Sequence, residues 1–190
     1  MSALVYLRGF APWIALAVLS AAGWQWGALA GLVIGLALLV RQLRAGTAAD
    51  ALILEISTTV YFVALTALAF AAPNSPLHHY SGVLSFGWLA LTAWSTLAAR
   101  RPFTLGIARR STPRERWATP AFLRVNVVIT AVWAGFFTLT AIAVAICDAT
   151  GAGSAATIVC QVVGFVVPAV FTARYPKIVR ARYAAARTAN

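Results

Sequence analysis

Glu55 is the one carboxylate inside a long apolar stretch of this 190-residue chain, and Thr59 and Thr66 follow it at spacings that share its helical face. A carboxylate in hydrocarbon costs several kcal/mol unless it is paired, protonated or hydrated, so its surroundings must answer for it. Asn126 and Thr130 repeat the same four-residue polar step in a later apolar stretch, and Gln161 lies in the last one. Together Glu55, Thr59, Asn126, Thr130 and Gln161 form a candidate intramembrane polar cluster, able to hold a cation, a proton or a lipid headgroup. The plainer alternative pairs Glu55 with a snorkelling Arg41, Arg44 or Arg124 and gives Gln161 an interhelical hydrogen bond.

Other reactive side chains are sparse. Cys147 and Cys160 flank one loop and fit no zinc spacing; packing is their expected role. His78 and His79 are adjacent and have no acid or thiol cluster beside them, so no metal is expected. Trp88, Trp94 and Trp133 read as packing residues. The chain has no phosphate-binding glycine loop, no dinucleotide fingerprint and no His-Glu-x-x-His helix. With two histidines and four acids, acid–base machinery has few candidates. The expectation is a protein without cofactor that is not an enzyme.

The elements that must position these residues follow from composition. Hydrophobic residues make up 62% and charged residues 10%, and mean hydropathy is +0.84. Soluble domains carry about 25% charged residues, so this is a membrane chain, and its net charge of +11 does not signify nucleic acid. Apolar stretches long enough to cross about 30 Å of hydrocarbon occupy roughly 4–22, 25–43, 51–72, 81–99, 120–147 and 154–174. The expected fold is all-α, a single bundle of six spans in three hairpins, with an amphipathic linker over 100–119 and a basic tail over 175–190. The beginning also has features of a signal peptide, but an uncleaved first span is the reading adopted.

Six spans place all 15 lysines and arginines on one side, so the positive-inside rule puts both termini in the cytoplasm of an inner membrane. Within 100–119, Thr112-Pro113-Arg114-Glu115 resembles a helix start and Phe103, Leu105 and Ile107 alternate with polar or small residues before Arg109 and Arg110; the segment reads either as a short helix on the cytoplasmic membrane face with Trp117 as anchor or as a solvated loop. Gly23, Gly27, Gly31 and Gly35 form a four-residue glycine repeat that admits a close neighbour, either a helix of the same chain or a second copy. Expected partners are anionic lipid headgroups, other membrane proteins and, for the glycine face, a homo-oligomer. Pro168 predicts a kink in the last span. Spans three and five share a pattern around Glu55 and Asn126, and their hairpins exit through Arg100-Arg101-Pro102 and Arg174-Tyr175-Pro176, which an ancient hairpin duplication or chance would both explain.

Arg101-Pro102-Phe103-Thr104-Leu105, then Pro113, Trp117, Asn126, Trp133 and Phe136-Phe137, resemble the bacterial intracellular septation protein A family or a sister family of small inner-membrane proteins. The resemblance implies a non-catalytic part in envelope maintenance and division through contacts with other membrane proteins. It carries over no catalytic residue. The alternative function is a small transporter or channel with its polar site near Glu55 and Asn126.

Overall fold

A computed structural model describes residues 3–110 and 112–188, with the side chains of 3–8, 50, 180 and 182–188 outside the described residues. Four side chains counted in the basic belt, Arg8, Arg180, Arg182 and Arg187, therefore lie outside them, as do tail residues Ala189 and Asn190. The helices are α1 (Ala3–Leu19), α2 (Trp24–Arg44), α3 (Ile53–Ala71), α4 (Ser81–Ala98), α5 (Thr104–Arg109), α6 (Pro120–Thr150) and α7 (Ser154–Thr188); the described residues include no strand. Four segments are long and apolar enough to cross a membrane: α2, α3, α6 and Ser154–Val179 of α7. α4 has 18 residues but includes Ser81, Ser85, Thr92, Ser95 and Thr96, and the apolar helical stretch Gly9–Ala22, which runs from α1 through the turn Ser20–Ala22, is shorter.

Local chemistry sets the helix ends. Gly23 adopts φ +129° after the turn at Ser20–Ala22, a conformation closed to most side chains, and α2 starts at the next residue. Thr119 caps α6, its hydroxyl accepting the Phe122 N–H at 3.3 Å with Pro120 in the first turn. Gly151, at φ +65°, ends α6 in the left-handed conformation. α4 ends in a less usual way: Arg100 takes the left-handed position at φ 56°. The Arg101 N–H then reaches Thr96 O at 2.8 Å and the Arg100 N–H reaches Leu97 O at 2.9 Å.

Close packing depends on small residues. A Cβ on Gly31 would overlap the ring of Phe62 in α3, and one on Gly27 would come within 2.5 Å of Ser20 Oγ and 2.9 Å of Leu16 O. Gly35 faces Pro12, Thr58 and Thr59. The glycine face of α2 is thus occupied within the monomer by α1 and α3, while Gly23 serves the turn. Gly164 of α7 meets Thr140 of α6 in the same manner. These pairings make sequential long helices antiparallel, because contact partners on neighbouring helices rise in one as they fall in the other.

The arrangement is two groups of three, α1–α2–α3 and α4–α6–α7, rather than three equivalent hairpins. α3 and α4 stand apart, held by Tyr61, Trp88 and a Ser57–Thr92 hydrogen bond of 2.6 Å, and leave an apolar crevice of about 500 Å³ between them. Bulky aromatics at that contact prevent the approach that glycine permits elsewhere. α1 ties the groups together: Phe10 stacks on Trp133 of α6 at 4.9 Å, and Trp13 stacks on Tyr61 of α3 at 4.8 Å. Phe86, Phe137 and Phe165 complete this aromatic core.

Three expectations change. The segment expected as a basic tail continues α7 as helix to Thr188, through both Pro168 and Pro176. The 100–119 linker does hold a short helix, α5, but Thr112-Pro113-Arg114-Glu115 starts only the single turn Arg114–Arg116, and α5 is buried against the bundle and does not lie on the membrane face. The similar hairpin exits also diverge: Arg100-Arg101-Pro102 stops a helix, whereas Arg174-Tyr175-Pro176 lies inside one.

Candidate functional site

The basic end of the bundle is closed by the chain between α4 and α6. After the Arg100 turn, Pro102 and Thr104 are fully buried and Phe103 nearly so, which carries α5 into the bundle end rather than along its surface. Burying Thr104 requires partners for its hydroxyl, and α6 supplies them: Thr104 Oγ1 donates to Asn126 O at 3.1 Å and lies 2.8 Å from Thr130 Oγ1. Asn126 Nδ2 donates to Phe122 O at 2.8 Å. On the other side, Gly106 passes so close to the chain before α3 that a Cβ would sit 2.5 Å from Ala51 O. α5 is therefore wedged between the start of α3 and the start of α6.

Arg110 follows the wedge and fastens it. Its Nη2 donates to Glu55 Oε1 at 2.8 Å and to Ala51 O at 3.0 Å. The carboxylate has found its cation, but that cation is Arg110, from the linker, and not Arg41, Arg44 or Arg124. The second oxygen, Glu55 Oε2, is buried without a hydrogen-bond partner. Beyond it, Trp117 donates from Nε1 to Thr112 O at 2.8 Å, and the guanidiniums of Arg109 and Arg114 lie 5.3 Å and 5.7 Å from its ring centroid.

The candidate cluster thus divides. Thr104 joins the Thr130 hydroxyl and the Asn126 backbone carbonyl, the Asn126 side chain bonds its own helix, and Glu55 belongs to Arg110, so α5 stands where the two helices were expected to face each other. Thr59 Oγ1 donates to its own helix, at Glu55 O, 2.8 Å away. Thr66 Oγ1 is buried with no partner. Gln161 lies at the opposite end of the bundle, against Gly82 at the start of α4, where a Cβ would come within 2.9 Å of its Nε2. Of the residues quoted for the family resemblance, Arg101, Pro102 and Phe103 begin the wedge and Trp117 anchors its far end. Trp133 is a core residue, its Nε1 donating to Thr172 Oγ1 at 2.9 Å.

Thr104 and Arg110 are the site residues that sequence reasoning passed over. Nothing in their types distinguishes them from other threonines and arginines of a basic linker. The alternation of Phe103, Leu105 and Ile107 marked the stretch as amphipathic, but it did not say which of its polar side chains would be buried or paired. Comparison with family models, curated proteins and solved structures found no match for the chain.

Proposed function

We propose that the chain is a six-span protein of the bacterial inner membrane with both termini cytoplasmic. In this reading it contributes to envelope maintenance or division through protein and lipid contacts, without catalysis. The observation that carries the reading is the construction of the basic end. There, α5 is held across the bundle by polar groups: Glu55 through Arg110, and the Thr130 hydroxyl and the Asn126 backbone carbonyl through Thr104. What faces outward are Arg100, Arg101, Arg114 and Arg116, suited to anionic headgroups or an acidic partner. Exposed Val33, Leu91, Leu139, Ile142 and Val159 give the helices apolar outer faces suited to lipid. The resemblance, carried by motifs from Arg101 to Phe137 and covering about the middle two-thirds of the chain, supports an envelope role.

The test is reconstitution. Full-length protein in liposomes is expected to show no proton or cation flux above empty vesicles, and Glu55→Gln no change. Glu55-dependent flux would overturn the reading in favour of a transporter, the second function that the unpartnered Glu55 Oε2 favours. Orientation is tested separately by single cysteines in a Cys147→Ser/Cys160→Ser background. Positions 45 and 112 are expected to react with membrane-impermeant maleimide only after lysis, and positions 74 and 152 in intact cells.

A further inference from the structure

We propose that the basic end carries a phosphate-group site, a pocket between α5 and the start of α3 in which Arg101 and Arg109 receive the anion. This rests on the reading above only for the source of the ligand, a lipid of the cytoplasmic leaflet. The pocket measures about 210 Å³ and is walled by Arg101, Arg109, Ile53, Pro102 and Leu105. That is room for a phosphate group and some water, since one water occupies about 30 Å³ of liquid. Two guanidiniums and three apolar walls suit a phosphodiester: forked N–H groups for its oxygens, and C–H surface for the glycerol and first methylenes.

Two further features fit a built pocket better than diffuse surface charge. The Arg109 guanidinium carbon lies 5.3 Å from the Trp117 ring centroid, a cation–π contact that helps to hold this guanidinium in place beside α5. Arg100 holds a left-handed backbone at φ 56°, where a glycine would be unstrained. That turn sends the next residue, Arg101, into the pocket wall and buries Pro102 behind it. Glu55 is engaged by Arg110 on the neighbouring side of α5, so its charge is already met.

The same chemistry would accept a lipid headgroup or free phosphate, and the experiment separates them. Full-length protein, delipidated in detergent, is titrated with short-chain phosphatidylglycerol by native mass spectrometry and with inorganic phosphate by calorimetry. Arg101→Gln and Arg109→Gln are expected to weaken phosphatidylglycerol binding about tenfold or more, the loss of a charge-assisted hydrogen bond. Ile53→Trp, which fills the pocket and leaves both arginines in place, is expected to do the same. Arg101→Lys should recover part of the loss. The paired control Arg41→Gln/Arg44→Gln removes two exposed cations at the same end of the bundle and should change binding less than about twofold.

Binding of the lipid alone identifies a headgroup site, and competitive binding of both ligands identifies a general phosphate site; either supports the pocket. Equal losses in the control pair, or no loss in Arg101→Gln and Ile53→Trp, would overturn it. Should Arg109→Gln fail to fold, those two variants decide. A pocket that binds in detergent on a chain whose basic end labels from outside the cell would keep the site and overturn the proposed orientation instead.

Discussion

At the residue scale, two arginines of the linker show how position outweighs type. Arg110 forms the ion pair with Glu55, whose side chain is 10% exposed against 25% for the arginine. Partial burial makes the pair worth more than a surface contact, and the carboxylate left alone would be costly. Arg110→Ala is therefore expected to destabilise by about 1–3 kcal/mol, and the Glu55→Gln/Arg110→Ala double variant by less than the sum of the singles; a double-mutant cycle by denaturant titration in detergent checks this. Arg100 is the converse case, a side chain in a glycine conformation. Arg100→Gly is expected to raise stability by up to about 1 kcal/mol by relieving the left-handed strain, read as a higher melting temperature. The sequence showed that Glu55 needs a partner. Choosing among fourteen arginines required knowing that α5 turns inward, since a residue 55 positions away in the chain is as near as a helical neighbour once the wedge is seated.

At the element scale, the contrast between glycines is measurable. Gly31 and Gly106 lie against groups that cannot retreat, the Phe62 ring and the Ala51 backbone, whereas a Cβ on Gly87 meets nothing within 4 Å. Gly106→Ala is expected to displace α5, costing about 1–3 kcal/mol and exposing the 100–119 linker to protease, while Gly87→Ala should be neutral or slightly stabilising because it raises helix propensity. Limited proteolysis and thermal unfolding of the pair distinguish these outcomes. Gly31→Leu should destabilise further than Gly31→Ala, with partial recovery by Phe62→Leu. The repeat on α2 was legible because its four-residue period is a local property. The partner was not, because periodicity reports that a face admits a close neighbour and says nothing about which one arrives. The position of the linker helix was less legible for a related reason: Thr112-Pro113-Arg114-Glu115 has good capping chemistry but starts only a single turn, whereas the buried stretch at Thr104–Arg109 forms the helix.

At the scale of the whole molecule, α1 joins two three-helix groups that otherwise touch sparingly. Phe10 reaches Trp133, Phe137 and Phe165 in the second group, and Trp13 reaches Tyr61 and Phe62 in the first. Phe10→Ala is expected to cost about 3–5 kcal/mol and to loosen the groups relative to one another, seen as faster hydrogen exchange across α6 and α7. The apolar stretches and their helical character came from the sequence by itself. Hydrocarbon leaves a long apolar segment no alternative to satisfying its backbone internally, and charge is excluded from it residue by residue. Tertiary structure alone decided that hairpins of similar sequence pack differently, that α5 enters the bundle, and that Glu55 and Asn126 face this wedge. Those outcomes depend on whether distant side chains fit, glycine against Phe62 or bulky Tyr61 against Trp88, and shape complementarity between remote segments leaves no local trace.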